Sequence, residues 1–356
     1  MIAAILAEIL KNPNITDIHL AVRDQVWVRE HGDIRPFGDA TIQSHHMESY
    51  LGKVLAPAMS WDDFLSARQG SHDFAQTLDG CRLRCHLSYH GPNTALCLSI
   101  RRLRNTIPFL SELGLPSGIE RFFGETKGLL LITGSVNSGK STTLAAGLDY
   151  INRTRCAHIL TLEDPIEYLL VSDRCRVMQK EIGEKLPSLE AALIGSKRED
   201  PNILMIGEIR TRETMHGALS AANSGNFVLA TLHTASGQQT IDRVTSFYPE
   251  QDRDEARHLL ASNLTAILCQ SLVKRQDREG LVLVYEILVN HAPVREAILS
   301  GKTQQIPNIM ETGRLDGHVM QHWVLKKMID EGTLAEETAM AMAHSREKLR
   351  QAISRP

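Results

Sequence analysis

Alternating apolar and polar residues mark the first hundred positions of the chain, and this spacing predicts β-strands with one buried face. Residues 16–37 alternate through TDIHLAV and QVWVREHGDIRPF, with a turn at His31, Gly32 and Asp33. Two more β-like runs, 80–89 and 94–103, flank a turn-rich stretch at 90–93. The opening MIAAILAEIL contains an acidic residue and lacks a basic leader, which favours an amphipathic helix over a signal peptide. These patterns predict a small α+β domain over residues 1–104.

The pattern changes after residues 105–118, NTIPFLSELGLPSG, whose prolines and glycines predict a linker. Between residues 119 and 289, continuous apolar runs alternate with helical segments, and these runs are GLLLIT, AHILTLED, NILMIGE, NFVLATLHT and LVLVYEILV. Continuous apolar strands joined by helical crossovers predict an α/β fold with a parallel sheet covered on both faces. Residues 290–356 show helical spacing and no further strand signal.

Length, charge and cysteine usage narrow the class of protein. A chain of 356 residues is long enough for about two domains. Its 39 basic residues against 42 acidic ones give a net charge of −3, so the chain lacks a global basic field for nucleic acid or anionic lipid. No apolar stretch reaches the roughly 20 residues of a membrane span, and the six cysteines form no C-x-x-C pair. We therefore expect a cytoplasmic protein without a structural zinc.

A G-x-x-x-x-G-K-S loop lies between the apolar run GLLLIT and the helical segment STTLAAGLDYIN. Such a loop lets backbone N–H groups approach phosphate, while its lysine reaches the β and γ phosphates and its serine binds Mg²⁺. Asn137 replaces a glycine in mid-loop, and asparagine tolerates the left-handed backbone. A chance glycine-rich turn is the alternative, which the flanking strand and helix disfavour. The predicted ATP-binding residues are Gly134, Ser135, Val136, Asn137, Ser138, Gly139, Lys140, Ser141 and Thr142.

A carboxylate follows the apolar run ILMIG at Glu208. In a doubly wound sheet the end of such a strand lies beside the phosphate loop, so Glu208 is placed to orient or deprotonate the attacking water. A solvated residue just past a strand is the alternative.

An acidic run and a histidine follow two other apolar runs. Glu163, Asp164 and Glu167 crowd three carboxylates into five positions, which suits a hydrated Mg²⁺, although charged loops are commonly just solvated. His233 ends the run NFVLATL, where it could sense phosphate or simply hydrogen-bond a neighbouring strand. By themselves these two signals leave both interpretations open.

Arginines cluster in the predicted first domain. An arginine delivered from another domain or subunit can neutralise charge that develops on a γ-phosphate. A solvated sheet face or an ion-pair patch is the alternative. The members of the cluster are Arg82, Arg84, Arg101, Arg102 and Arg104.

The order of these motifs resembles that of the secretion ATPase superfamily, in particular the PilT-type motors of type IV pili and the DotB and TraJ ATPases of type IVB secretion and conjugation. The segments that resemble the family are GSVNSGKS, TLEDPIEY, REDPNILMIGEIR, SGNFVLATLHT and VYEILVNHAPVREAILSGKTQQI. Because TDIHLAVRDQVWVREHGDIRPF is similar to the family's opening, the resemblance covers nearly the whole chain. It implies a RecA-like P-loop NTPase core with an N-terminal PAS-like α+β domain and a helical C-terminal tail.

The resemblance also implies roles for individual residues. The loop corresponds to Walker A, residues 163–167 to the Asp box, Glu208 to the catalytic glutamate of Walker B and His233 to the His box. Implied catalytic residues are Glu208, Lys140, Glu163, His233, Arg84, Arg101 and Arg82. The implied Mg²⁺ ligands, partly through water, are Ser141, Glu163 and Asp164.

Three departures from the family pattern qualify this picture. Asn226 stands where relatives often have a second histidine. The chain lacks the tetracysteine subdomain of pilus-extension and secretion members, which favours the PilT or DotB branch. The segment APVREAILSGK keeps Arg295, Gly301 and Lys302 of the retraction motif but little else, so the direction of force stays open.

The resemblance implies a homohexamer that hydrolyses ATP with Mg²⁺ and converts the cycle into domain motion. It would drive a type IV pilus, secretion or conjugation apparatus at the cytoplasmic face of the inner membrane, docked on platform or secretion-system proteins. Membrane contact would come only through those partners, and no direct nucleic-acid contact is expected. Two alternatives are a nucleotide-dependent regulatory or assembly subunit without motor activity, and a RecA-like nucleic-acid motor.

Overall fold

The computed structural model describes residues 1–55, 71–90, 95–103, 106–182, 186, 188–313 and 317–354. Contacts divide the chain into two compact units. The first contains Met1–Thr106, Asp164–Leu169 and Glu181–Pro187, and the second contains Ile107–Glu163, Leu170–Lys180 and Ser188–Pro356. Residues 91–93 of the predicted turn, Arg104, and residue 105 of the predicted linker lie outside the described residues.

The first unit is an antiparallel sheet with two described helices. The elements are α1 (Ile2–Leu10), β1 (Ile15–Ala21), β2 (Gln25–Glu30), β3 (Asp33–Thr41), α2 (Ser44–Val54), β4 (Ser71–Leu78), β5 (Cys81–His90) and β6 (Ala95–Arg102). The sheet order is β3-β2-β1-β6-β5-β4, and every neighbouring pair is antiparallel. The predicted turn between β2 and β3 is confirmed, with φ of +52° at His31 and +96° at Gly32.

Alternation along the strands builds the core of this unit. On β5 the odd-numbered residues 81–87 are buried, and on β6 residues 96, 98 and 100 are buried, so the arginines between them fall mostly on the other face. The predicted amphipathic helix at the start of the chain is present as α1, which buries Ile2, Leu6 and Ile9 in the same core.

The second unit contains a seven-stranded sheet, whose strands are β7 (Gly128–Thr133), β8 (His158–Glu163), β9 (Arg176–Glu181), β10 (Ile203–Ile206), β11 (Phe227–Leu232), β12 (Leu264–Lys274) and β13 (Leu281–Val289). The order of these strands in the sheet is β13-β12-β7-β11-β10-β8-β9. The run from β12 through β7, β11 and β10 to β8 is parallel. All six residues of β7 and of β11 are buried, as expected for central strands of a covered sheet. The α-helices before β11 are α3 (Glu120–Phe123), α4 (Lys140–Thr154), α5 (Leu189–Ser196) and α6 (Arg212–Asn223).

The pairing of the last strand differs from the sequence prediction. The run LVLVYEILV was expected in a parallel sheet, but it pairs antiparallel with a strand that the sequence analysis missed, LTAILCQSLVK. Only residues 275–280 connect the two, which is too short for the crossover that parallel strands require. The elements from β11 to this hairpin are α7 (Gly237–Ser246), α8 (Arg253–Asn263), β12 (Leu264–Lys274) and β13 (Leu281–Val289).

Helices follow β13 to the end of the described chain. The helices after residue 320 form a satellite core with β13 around Val284, Leu325 and Leu349. Every helix within the described ranges is too short or too polar to span a bilayer. The helices are α9 (Ala292–Leu299), α10 (Ile306–Thr312), α11 (Gln321–Asp330), α12 (Glu336–Met342) and α13 (Arg346–Ile353).

Candidate nucleotide site

The candidate site lies at the carboxyl edge of the parallel strands in the second unit. The glycine-rich loop follows β7, Glu163 ends β8, Glu208 follows β10 and His233 follows β11. Because these strands are parallel and hydrogen-bonded in register, their carboxyl ends meet at one edge. The sequence motifs that carry chemistry in this unit therefore share one edge of the sheet.

The glycine-rich loop uses backbone conformations that few residues tolerate. Gly134 has a φ of +149° and Gly139 a φ of +89°, and Asn137 has a φ of +63°. The left-handed backbone at Asn137 is the conformation for which asparagine is expected to substitute for glycine. Val136 at the loop tip is 71% exposed, whereas Ser138 is buried. The loop thus folds back under its tip and enters α4 at Gly139.

Lys140 is the first residue of α4 and lies across the loop. Its Nζ donates hydrogen bonds to the backbone carbonyls of Gly134 at 2.9 Å and Ser135 at 2.8 Å. The N-terminal N–H groups of α4 have no intrahelical partner and carry the positive end of the helix dipole. Lysine and helix terminus together make this loop a site for an anion such as phosphate.

Glu208 lies among three cationic or titratable groups. Its carboxylate accepts a hydrogen bond from Arg210 at 2.8 Å, and its Oε1 lies 3.0 Å from His233 Nε2. Partial burial alone would raise the pKa of Glu208, but the hydrogen bond and charge of Arg210, followed by His233 and Lys140, outweigh it. The pKa of Glu208 is therefore lowered, which keeps it a carboxylate and a hydrogen-bond acceptor.

Glu163 is more deeply buried than Glu208. Its Oε1 accepts hydrogen bonds from Thr161 Oγ1 at 2.7 Å and from Gln179 Nε2 at 3.0 Å. Asp164, the next residue, is exposed and belongs to the first unit. The two carboxylates predicted to share Mg²⁺ thus have different surroundings, one held by neighbours and one open to solvent.

The three family-matched arginines lie on one face of the first unit's sheet. Arg84 and Arg101 are directly paired across β5 and β6, and Arg82 lies two residues before Arg84 on β5. Arg102 lies on the other side, where it donates to the Asn12 carbonyl. The register therefore groups the three arginines that the family resemblance selects and separates Arg102 from them.

The grouped arginines differ in what they contact. Arg82 donates to Glu181 at 2.8 Å, within the same unit. Arg101 donates to Asp17 at 2.8 Å. Burial alone would raise the pKa of Asp17, but the hydrogen bond and charge of Arg101, together with a hydrogen bond from Thr16, lower it. Arg84 forms no ion pair with any residue that the structure describes.

Asn226, the departure from the family's second histidine, lies away from this edge. It directly precedes β11, at the amino end of the strand, whereas His233 follows the carboxyl end. Its side chain donates to the Pro201 carbonyl and its own carbonyl accepts from Gly128. Asn226 therefore links the amino ends of neighbouring strands, at the edge of the sheet opposite the glycine-rich loop.

Sequence reasoning missed two residues of the site. Arg210 was not singled out, although it lies two positions after Glu208 and a short charged loop there is a local signal. Gln270 on β12 donates to the Ser138 carbonyl inside the glycine-rich loop. No local pattern identifies Gln270, because 132 positions separate it from its partner.

The donors at this edge fit an anion such as phosphate, because Lys140 and the first N–H groups of α4 lie there. Among the described residues, no group of three or more His, Cys, Asp or Glu side chains is arranged to hold a metal. Mg²⁺ commonly takes only one or two protein ligands and completes its shell with phosphate oxygens and water. A Cβ at Gly134 would collide with the Gln270 carbonyl and lie 2.5 Å from Ser138 Oγ, so the loop accepts only glycine at its start.

A buried parallel sheet with a G-x-x-x-x-G-K-S loop at its carboxyl edge defines an α/β protein of the P-loop class. The chain belongs to the type II/IV secretion system protein family, which residues 94–353 match.

Individual relatives support the same assignment. The chain is 32% identical to the type IV pilus retraction ATPase PilT of Pseudomonas aeruginosa, over 92% of this chain and 94% of that protein. It is 40% identical to the uncharacterized protein YggR of Escherichia coli, over 74% of this chain and 81% of that protein. A crystal structure of the pilus retraction motor PilT with bound ADP matches with a TM-score of 0.86 and 32% identity, covering 98% and 99% of the two chains. The Legionella pneumophila ATPase DotB, at 23% identity and a TM-score of 0.82, shares the fold and covers 96% and 94% of the two chains.

Proposed function

We propose that this chain is an ATP-hydrolysing motor of a type IV pilus or type IV secretion apparatus. One observation carries the proposal: the glycine-rich loop, Glu208 and His233 share the carboxyl edge of the sheet in a chain homologous along its length to PilT. The related PilT structure holds ADP, and the α/β fold matches it closely. The proposal assigns the same class of ligand to this edge.

In the proposed site the loop binds the phosphates of ATP. Backbone N–H groups of residues 134–142 and the Lys140 ammonium would contact the β and γ phosphates. Mg²⁺, when bound, would neutralise phosphate charge, with Ser141 as its protein ligand and Glu163 and Asp164 acting through water. The Lys140 ammonium contacts loop carbonyls in this structure and would exchange them for phosphate oxygens when ATP binds.

Glu208 is proposed to orient the attacking water and to accept its proton. Its lowered pKa keeps it ionised at neutral pH, so it is an acceptor before the reaction starts. His233, at 3.0 Å from Glu208 Oε1, holds the carboxylate on the side of β11 and would register the arrival of the γ-phosphate. Arg210 also donates to the Glu208 carboxylate, and its positive charge would balance the negative charge of Glu208.

Arg84 and Arg101 are proposed to supply positive charge to the γ-phosphate in the transition state. Arg84 fits this role best, because the described residues offer it no carboxylate partner. Arg101 would have to exchange Asp17 for phosphate. Arg82 is proposed to act together with them, although its ion pair with Glu181 engages its guanidinium.

Family membership supports a proposed domain organisation and assembly. We propose that residues 1–104 form a PAS-like domain, 105–118 a linker, 119–289 a RecA-like core and 290–356 a helical C-terminal region. Six copies would form a ring at the cytoplasmic face of the inner membrane, docked on platform or secretion-system proteins. Heterologous contacts close into a ring when the rotation between neighbouring copies closes, and a closed ring would let neighbouring sites act in sequence around one axis.

Steady-state release of phosphate from Mg·ATP by the purified full chain tests the proposal. We expect turnover that single-stranded DNA does not stimulate. Strong stimulation by DNA would support a nucleic-acid motor instead, and nucleotide binding without turnover would support a regulatory subunit. Light scattering of the Glu208→Gln variant with ATP should give the mass of six chains, and a monomer with and without nucleotide would contradict the ring.

A further inference from the structure

Gln270 is a buried amide beneath the glycine-rich loop. It follows Cys269, which is in register with Thr133, the last residue of β7, so Gln270 lies level with the start of the loop. Its side chain is 3% exposed, and its Nε2 donates to the backbone carbonyl of Ser138 at 2.9 Å. A side chain from β12 thus holds the backbone of a loop that is distant in sequence.

Both glycines of the motif, Gly134 and Gly139, lie against Gln270. A Cβ at Gly134 would collide with the backbone carbonyl of Gln270, and a Cβ at Gly139 would lie 3.2 Å from its Nε2. β12 therefore packs directly against the glycine-rich loop. The amide has a cost there, because its Oε1 is buried without a hydrogen-bond partner among the described residues. An apolar side chain would avoid that cost, so the bond to Ser138 is the feature that favours glutamine.

The hydrogen bond from Gln270 to the Ser138 carbonyl fixes the orientation of the Ser138–Gly139 peptide group in the loop. In a trans peptide the C=O of Ser138 and the N–H of Gly139 lie in one plane and point in opposite directions. Holding the carbonyl towards β12 therefore turns the Gly139 N–H away from β12, at the N-terminus of α4 where an anion binds. Gly139 lacks a Cβ and adopts both signs of φ with little strain, so the peptide could otherwise turn over and present its carbonyl oxygen to the phosphates.

We propose that Gln270 is a positioning residue for nucleotide binding, which holds the Ser138–Gly139 peptide with its N–H directed at the phosphates. The inference rests on the nucleotide binding proposed above. The Gly139 N–H contacts phosphate in the bound state and in the transition state alike. Its loss therefore weakens nucleotide affinity and raises KM, with little change in kcat.

The test compares Gln270→Leu with Gln276→Leu in the full chain. Gln276 is a matched control, because its Nε2 also donates to a backbone carbonyl at 2.9 Å, that of Gly332, but at an exposed site. Calorimetric titration with Mg·ADP gives the affinity, and phosphate release from Mg·ATP gives kcat and KM. Thermal unfolding without nucleotide checks that each variant is folded, and Gln270→Met, which keeps the unbranched shape, replaces Gln270→Leu if that variant is unfolded.

We expect Gln270→Leu to weaken Mg·ADP binding and raise KM by at least about tenfold, the scale of one hydrogen bond to a charged group. The kcat should stay within about threefold of wild type, as uniform binding requires. Gln276→Leu should behave as wild type. Unchanged Mg·ADP affinity, or a fall in kcat at unchanged KM, in a folded Gln270 variant would overturn the inference. Failure of the wild-type chain to bind Mg·ADP would instead overturn the proposed function.

Discussion

Replacing Glu208 by glutamine removes one charge from the candidate site and leaves its shape in place. An amide has nearly the size of a carboxylate, so the packing after β10 stays the same. Its nitrogen cannot accept the proton of water, and its oxygen is a weaker acceptor for Arg210 and His233. The substitution therefore separates the chemistry of Glu208 from its position.

The expected loss falls on the chemical step. Removing a positioned general base lowers kcat by at least about 10²-fold, which corresponds to about 2.7 kcal/mol in activation free energy. The free energy of unfolding should fall by much less. Arg210 is 66% exposed and His233 41%, and pairs of such exposure contribute about 0 to 1 kcal/mol to the free energy of unfolding. The variant should consequently stay folded and bind ATP.

Single-turnover hydrolysis and equilibrium ATP binding distinguish these effects. Glu213→Gln is the matched control, because Glu213 is an exposed glutamate in the first turn of α6, five positions further on. Glu208→Gln should bind ATP like wild type and hydrolyse it at least about 10²-fold more slowly, while Glu213→Gln should match wild type in both. Wild-type turnover by Glu208→Gln would refute its role as a base, and loss of affinity in parallel with turnover would make it a structural or metal-binding residue.

The pH dependence of the wild-type chain gives a second view of the same group. The pKa of Glu208 is lowered from an ordinary value of 4.5. Its carboxylate is therefore fully present at neutral pH and is lost only as the pH falls through the lowered pKa. The acid limb of kcat/KM that belongs to Glu208 should lie below pH 4.5. An acid limb that Glu208→Gln abolishes and that lies above this value would contradict the lowered pKa.

Three further predictions concern the arginines, the loop and the core. Arg84→Ala and Arg101→Ala should each lower kcat, by up to about 10³-fold for an arginine that acts in the transition state, while ATP affinity measured by titration stays unchanged; weaker binding at unchanged kcat would argue against that role. Gly134→Ala places a Cβ against the Gln270 carbonyl, so ADP affinity should fall by at least about tenfold, and wild-type affinity would show that the loop tolerates the methyl. Phe123→Ala removes a fully buried ring, which should lower the free energy of unfolding by about 3 to 5 kcal/mol in denaturant titration, and a loss below about 1 kcal/mol would contradict tight packing there.

Local sequence carried enough information for the loop and most strands. The G-x-x-x-x-G-K-S motif depends on residues within eight positions, and Asn137 could be interpreted from backbone preferences alone. The buried strands β7, β10 and β11 were predictable because each is a continuous apolar run. Burial, rather than alternation, is the feature that central parallel strands leave in a sequence.

The strand pairings at the end of the sheet could not be predicted in the same way. An apolar run such as β13 has the same composition whether its neighbour is parallel or antiparallel, and only the short connection at 275–280 decides. β12 was not predicted, because it follows α8 without an intervening turn. β4 was missed because SHDFAQTL is mostly polar.

Contacts between residues far apart in the sequence could not be predicted either. The bond from Gln270 to Ser138 spans 132 positions, and nothing near either residue signals it. The division among the arginines also depends on partners far along the chain, since Arg82 contacts Glu181 and Arg101 contacts Asp17. Register and packing of the folded chain create these differences.

Phosphate release from Mg·ATP by the wild-type chain and by Lys140→Ala tests the central claim most directly. Lys127→Ala is the control, because Lys127 is an exposed lysine just before β7, at the strand end opposite the loop. The proposed function predicts turnover by wild type and by Lys127→Ala, and none by Lys140→Ala, since loop amides alone cannot replace the ammonium at the β and γ phosphates. Equal turnover by all three proteins would contradict the assignment of this edge as the site of ATP hydrolysis.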